Sequence, residues 1–433
     1  MEEEEGHARF RYLQTIRQYA RDRLFEAGEG SAARDRHLDY FTNFVLDRLP
    51  LGSDETHLSL YSAIGSPSMM DWVGRMRAEM DNVRAAVQWA LQSDPERALA
   101  MATRLPLFFL FEGAAVESRQ WLEDAVIAVE ALEPASGEAA RLRETLLLQG
   151  KLWQGNLQLG GGSHTEAVDT LQKVEDRARQ LESPILLAMA LSLESLALVF
   201  LGDPQAYNKA AEALALLEEQ GEKTLQGMPL GNMAMAKMQQ GDLTAAQALK
   251  ERTRAVMTRE SGTLVNSLQI ITLARLANQI HEYDEAEELL ILARDQFDDL
   301  GSYHFRTMAE SEIGHLRRRK GDDAAAEAIY RRTIRAYEAL GHRPAVANHL
   351  ETFAFIAIHR AQFDRAATLM GAAEALREQI DVDMLPDERV VYDAEVGALH
   401  EAMKPDELTA AWRSGRTLDM ETAVNLALSG GAG

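Results

Sequence analysis

GDLTAA at 241–246, HEYDEA at 281–286, GDDAAA at 321–326 and AQFDRA at 361–366 repeat one pattern in fixed register. Each copy opens on a small or polar residue, sets an alanine five residues later and runs on into an apolar helical stretch, so Ala246, Ala286, Ala326 and Ala366 stand 40 residues apart. A helical repeat of this length buries its apolar face on the neighbouring copies, which predicts a solenoid of helix pairs. The alanine is explained by space, because two helices joined by a short turn approach closely beside it. The apolar residues three positions on, Leu249, Leu289, Ile329 and Leu369, are expected to seal the core.

Working outward, the pattern loosens. GDPQAY begins 39 residues before GDLTAA, with its alanine read as offset, so a slipped register is expected there within one continuous superhelix. Nearer the start, the four glutamates at 2–5 are expected to fray. A helix is predicted from His7 to about Ala27, its stripe of Phe10, Leu13, Ile16 and Leu24 facing Leu38, Phe41, Phe44 and Val45 of the next helix. Residues 50–68 read as a connection. The helix over 69–91 carries a stripe of Trp72, Met76, Met80, Val83, Val87 and Leu91. Asp94 and Pro95 are placed to cap and start a further helix, with Pro106 expected to kink or end it. Beyond Gln379 a longer final helix pair is expected around Pro386, followed by short helices at 405–414 and 419–428 and a disordered SGGAG tail. The predicted units are an N-terminal helical segment at 1–50, a superhelix at 69–380, a helical cap at 381–428 and a tail at 429–433.

Composition bounds the function. The chain has no cysteine, which removes thiol catalysis, disulfides and thiolate metal sites. Its formal charge of −23 repels phosphate backbones and anionic membranes at long range. MEEEEGH lacks the basic region and apolar core of a signal peptide, and LPLFFLF at 105–111 is far too short to span a bilayer. A soluble, cytoplasmic chain is expected.

No arrangement with a catalytic, cofactor or metal mechanism stands out. LGGGSHTEA at 160–167 reads as an inter-helix turn rather than an anion cradle, since it lacks the Lys-Ser/Thr of a phosphate loop. The histidines fall in no HExxH pattern and read as structural, although stacked repeats could gather pairs such as His315 and His359. RRRK at 317–320, with Arg331, Arg335, Tyr330 and Tyr337 nearby, is the one basic island. It fits cations at a helix end, with nucleic-acid binding as the alternative use. Adjacent acids such as Glu287 and Glu288 read as solvated faces. Trp72, Trp89, Trp121, Trp153 and Trp412 read as packing rather than ligand platforms.

FRYLQTIRQYARDRLFEAGE at 10–29, WVGRMRAEMDNVRAAVQWAL at 72–91, ESRQWLEDAV at 117–126 and the stretch from Met370 to Leu428 carry a resemblance. The chain resembles the carboxy-terminal tetratricopeptide region of large bacterial signal-transduction ATPases of the maltose-regulator and antibiotic-regulator type. The resemblance implies an all-α, right-handed α-solenoid of tetratricopeptide-like hairpins with a period of about 40 residues. It implies the sensor or scaffold portion, without the nucleotide-binding, winged-helix and DNA-binding parts, receiving a protein, peptide or small-molecule effector. Within the matching blocks, Trp72, Glu79, Asn82, Arg84, Trp89, Glu117, Arg119 and Trp121 are the candidate structural or effector-contact residues. Arg84 can reach Asp81 or Glu79, Asn82 can satisfy a backbone group, and Glu117 with Arg119 can fix a turn. The expected function is a non-enzymatic binding scaffold of a signalling or transcriptional regulator.

Overall fold

The computed structural model describes residues 2–4, 7–9, 14–46, 67–112, 115–223, 225–256, 264–380, 384 and 386–429. Strands β1 (Glu2–Glu4) and β2 (His7–Arg9) pair antiparallel, Glu2 opposite Arg9. The helix expected from His7 therefore starts later, as α1 (Gln14–Glu26), because the backbone of 7–9 is committed to the ladder. The α1 stripe does not find the partner expected for it, since Ile16 and Leu24 are exposed; Phe10 and Leu13 lie outside the described residues. Leu38, Phe41 and Val45 of α2 (Gly30–Leu46) are instead buried against the broader apolar face of α3 (Pro67–Ser93), where Trp72 Nε1 donates to the Val45 carbonyl at 3.2 Å. The connection at 50–66 and the last four residues, 430–433, also lie outside the described residues, while Ser429 is helical.

Asp94 caps α4 (Pro95–Ala102), accepting from the Arg97 backbone N–H at 3.2 Å. Pro106 starts rather than ends a helix. It sits in the first turn of α5 (Leu105–Glu112), where its missing N–H has no intrahelical partner to lose. Then come α6 (Ala115–Glu130) and six hairpins: α7 (Gly137–Gly160) with α8 (His164–Gln180), α9 (Pro184–Phe200) with α10 (Ala206–Glu219), α11 (Gly227–Gln239) with α12 (Leu243–Val256), α13 (Leu264–Gln279) with α14 (Tyr283–Asp299), α15 (Tyr303–Arg319) with α16 (Asp323–Ala339), and α17 (Arg343–His359) with α18 (Phe363–Ile380). The chain ends in α19 (Pro386–Ala402), α20 (Pro405–Arg416) and α21 (Met420–Ser429).

Close approach within five of the six hairpins uses a pair of small residues twelve apart: Gly155 and Ala167, Ala234 and Ala246, Ala274 and Ala286, Gly314 and Ala326, Ala354 and Ala366. All are buried. Glycine is required where a large side chain of the second helix lies over it; a Cβ on Gly314 would come within 2.7 Å of the Tyr330 ring and one on Gly155 within 2.6 Å of Leu171. Ala206 is also fully buried and stands 40 residues before Ala246, so the alanine register runs one hairpin further than expected and only the opening glycine is displaced. Leu249 and Leu369, three positions after their alanines, are buried as expected, whereas Leu289 and Ile329 are half-buried and the next residues, Leu290 and Tyr330, are enclosed instead.

First helices α7, α9, α11 and α13 pack on one another in succession, as do α17 and α19, while no comparable packing joins α8, α10, α12, α14 and α16. The first helices therefore line the inside of the curve. The curve also closes on itself, since α5 packs on α15 and the Met70 side chain lies over Gly301. The largest apolar core runs from Leu38 to Leu316 and a second from Ala326 to Ala427, with two smaller clusters set apart, one around Leu230 and Leu249 and one around Leu198 and Ala206. In the second, α20 crosses α18 at Gly371 and Gly415, where any Cβ would overlap the facing backbone. Helix α21 folds back onto α16, α17 and α18, and Arg365 and Arg331 donate to its terminal carbonyls at Ala427 (2.8 Å) and Leu428 (2.6 Å).

Candidate functional site

The inner wall is the surface that the architecture presents to a ligand, and polar groups join its successive helices. Asn232 of α11 donates to the Ser192 carbonyl (2.8 Å) and to Ser195 Oγ (2.7 Å) of α9, and Gln239 donates to the Val199 carbonyl (2.8 Å). Arg275 of α13 grips Glu312 of α15, with Nε to Oε1 at 2.9 Å. Asn348 of α17 donates to Glu388 of α19 (3.0 Å), and His359 lies between Asp323 (3.0 Å) and Glu395 (3.3 Å).

Electrostatics follow from these contacts. Burial works against the charge of Glu312, but Arg275 outweighs it and holds the carboxyl below the usual range. The hydrogen bond to Asp323, reinforced by Glu395, raises the His359 imidazole against its partial burial. A cation at His359 is thereby favoured on an otherwise acidic molecule. At the ends of the first helices, Gln239, Gln279, Arg319 and His359 recur every 40 residues and are all at least partly exposed. Amide, guanidinium and imidazole donors on rigid helices suit the carbonyls and carboxylates of an extended peptide.

Deeper in the wall, Glu194 of α9 occupies the register position that Ala234, Ala274, Gly314 and Ala354 fill elsewhere. Its carboxylate, 1% exposed, meets Lys209 Nζ at 3.0 Å, and Lys209 also pairs with Glu175. Burial alone would raise both acids. Bonds from Glu194, Lys209 and Arg179 overcome it at Glu175 and pull that carboxyl down to about 2, whereas burial takes Glu194 up to about 7. Burial thus disposes the coupled pair to keep a proton, with Glu194 raised and Glu175 lowered.

The residues singled out from the sequence lie elsewhere, at the joints of α2, α3 and α6. Arg84 grips Glu117 through two bonds of 2.7 and 3.0 Å and holds Asp81 at 2.8 Å. Asn82 donates to Glu79 (2.6 Å) rather than to a backbone group. Trp89 Nε1 donates to Asp35 (2.9 Å) beneath the Arg34 guanidinium, Trp121 packs edge-on to Phe109, and Arg119 faces Glu123 at 3.7 Å. Trp72 is 1% exposed. The contacts of Arg84 with Glu117, Trp89 with Asp35 and Trp121 with Phe109 join neighbouring helices, whereas Asn82 with Glu79 and Arg119 with Glu123 stay within one helix. The inner-wall groups were missed because they pair across repeats, although aligning the sequence at 40 residues exposes the Gln239 to His359 row.

The basic island offers little free surface. Arg317 pairs with Glu287, Lys320 with Asp284 (3.3 Å), and Arg318 lies over the Phe355 ring. Arg331 pairs with Glu327 at 2.8 Å and Arg335 bonds Asn425 at 2.6 Å; Tyr330 and Tyr337 are buried and present no face for base stacking. His315 meets His349, not His359. The glycine cluster at 160–162 forms the α7–α8 turn. A shallow hollow of about 390 Å³ lies between α6, α7 and α8, lined by Glu130, Lys151 and Lys173. Among the described residues, no group of three His, Asp or Glu side chains is placed to hold a metal ion, and no helix is long and apolar enough to cross a membrane.

Comparison with known proteins agrees with this geometry. No protein-family profile matches the chain. Proteins named as HTH-type transcriptional regulators from Mycobacterium tuberculosis and Mycobacterium bovis are 21% identical to it over 98% of its length and 59% of theirs, so the chain spans little more than half of these relatives. Among solved structures, the Rap conjugation gene regulator of plasmid pLS20, in complex with the Phr* peptide, superposes with a TM-score of 0.53 at 12% identity, covering 79% of this chain and 96% of that one. A signal-transduction ATPase with a tetratricopeptide repeat sensor from Pyrococcus horikoshii is similar over 88% of this chain and 55% of its own, at 15% identity and a TM-score of 0.38. Among the described residues the chain is a helical repeat solenoid, with one two-stranded ladder at its start, that shares its fold with the Rap regulator.

Proposed function

We propose that the chain is a non-enzymatic scaffold that binds a peptide or protein along the inner wall of its superhelix, as the sensing portion of a bacterial cytoplasmic regulator. The observation that carries this reading is the row of donors at Gln239, Gln279, Arg319 and His359, set at one register position on helices that pack directly or through paired side chains. Stacked repeats of this kind present an extended surface suited to a chain-like ligand. The Rap regulator, with its bound peptide, and the mycobacterial relatives, named as transcriptional regulators, support the assignment. The division into an N-terminal segment, a repeat body at 69–380 and a cap at 381–428 belongs to the same proposal. The repeat body supplies the binding wall.

Selection of a random-peptide display library against the immobilised chain tests this. Recovered peptides should lose at least tenfold in affinity on Arg319→Glu and should be unaffected by Lys173→Glu on α8. Peptides indifferent to Arg319→Glu, or the recovery of none, would count against the inner wall.

A further inference from the structure

The two largest apolar cores meet at α15 and α16, where Ile329 of α16 packs against the first. The first ends at Leu316 on α15 and the second begins at Ala326 on α16. Direct packing between α15 and α17 is slight, unlike that joining α9 to α11 or α11 to α13. Imidazoles, phenols and hydroxyls fill the boundary. His304 of α15 stacks on His342, which caps α17, with ring centres 5.4 Å apart. His315 of α15 stands 6.1 Å from His349 of α17 and lies 3.0 Å from the Tyr330 hydroxyl of α16. Ser311 reaches His349 at 3.5 Å, and Tyr337 lies 5.4 Å from His342 and 5.3 Å from His349. Two histidine pairs thus lie along the contact of α15 with α17, His315/His349 toward the α15–α16 turn and His304/His342 at the opposite end, beside the α16–α17 turn.

We infer that this boundary is a proton-sensitive hinge, at which uptake of protons by the facing pairs His304/His342 and His315/His349 loosens α15 from α17. His315 and His349 have hydrogen-bond partners as neutral rings, whereas Nδ1 of His304 is buried without one among the described residues. His349 Nδ1 donates to the Ala345 carbonyl (2.9 Å), and its Nε2 meets Thr333 Oγ1 (2.8 Å), so a proton added there finds hydroxyls and no carboxylate. Double protonation sets two cations about 5 to 6 Å apart in a dry boundary.

The surrounding charges are already matched. On α15, Glu312 is taken by Arg275 of α13, and Arg318 faces Phe355 of α17. From α14, Glu287 holds Arg317 and Asp298 holds Arg306; Glu310 faces Arg306 on its own helix. Helix α5 brings buried apolar side chains. On α16, Glu327 holds Arg331 and Arg360, and Tyr330 and Tyr337 are phenols that burial keeps protonated. On α17, Glu351 is taken by Arg377 of α18, and Asn348 by Glu388 of α19. At His315 itself burial opposes a charge most, Glu312 favours one, and Arg318, Arg319 and Arg275 oppose it.

Burial holds His304 and His315 at about 4 and His349 at about 3, and lowers His342 as well. In the open form the rings regain their ordinary value near 6.5. Opening is therefore disfavoured above that value and gains as pH falls from it toward 4, by up to about tenfold per pH unit for each histidine released.

Hydrogen exchange on the full chain, followed by mass spectrometry from pH 7.5 to 5 and corrected for intrinsic rates, reads this directly. Exchange in α15, α16 and α17 should rise before that of α7 to α12, with helical circular dichroism unchanged. The variant His315→Asn/His349→Gln should lose up to about a hundredfold of the local rise per pH unit. Should that variant fail to fold, His304→Phe, which keeps a ring against His342 but cannot protonate, should lose about tenfold. Exchange that rises in all helices together, or a profile unchanged in the variant that folds, would overturn the hinge.

Discussion

At the scale of single residues, the hairpins are governed by whether a side chain fits between two helices. Glu194 is the exception, a carboxyl at a position filled elsewhere by alanine or glycine, and it survives because Lys209 lies against it and it keeps its proton. Between its ordinary value near 4.5 and its folded value of about 7, the unfolded chain releases this proton while the folded chain keeps it. Stability from Glu194 is therefore present at low pH and is lost as pH rises through that window. Glu194→Gln should remove the loss, flattening denaturant-measured stability between pH 5 and 7.5 by on the order of 2 kcal/mol. A variant with the same slope as the parent would show that Glu194 is ionised throughout. Glu175 acts oppositely, its contribution falling only in strong acid.

At the scale of the element, each hairpin has a left-handed residue at the turn, and all but α9–α10, where Glu194 stands, have a small residue on both helices. Gly241 and Gly321 supply the turn freely; His281 and Ala361 adopt φ of 65° and 56° in the same places. Ala286, fully buried against the first helix, is the clearest test of close approach. Ala286→Leu should cost about 1–3 kcal/mol by overpacking, measured by urea unfolding. A negligible loss would mean the helices are not held by that contact. The 40-residue alanines made this element legible in the sequence, because a size limit beside a turn writes itself as one residue type. Glu194 and the left-handed His281 and Ala361 were not legible, since each depends on a partner or a strain that residue type does not announce. Pro106 was misread for a related reason: a proline near an aromatic run ends one helix or begins the next according to packing that the local sequence does not contain.

At the scale of the molecule, the solenoid bends until α5 meets α15, and its two largest apolar cores adjoin at α15 and α16. Neither feature could be read from a linear pattern, since residues some 200 apart meet only once superhelical curvature is set. The same holds for Arg275 with Glu312 and for His359 with Glu395, whose pairing crosses repeats. The blocks that carry the sequence resemblance mark the ends of the chain, where their polar residues prove to be helix locks such as Arg84 with Glu117. Binding is assigned to the wall between those ends. Its most direct test is the hydrogen-exchange footprint of a display-selected peptide on the full chain. The account predicts protection confined to α11, α13, α15 and α17, strongest in their last turns around Gln239, Gln279, Arg319 and His359. Protection centred on α12, α14 and α16 would place the ligand on the outer face and contradict it.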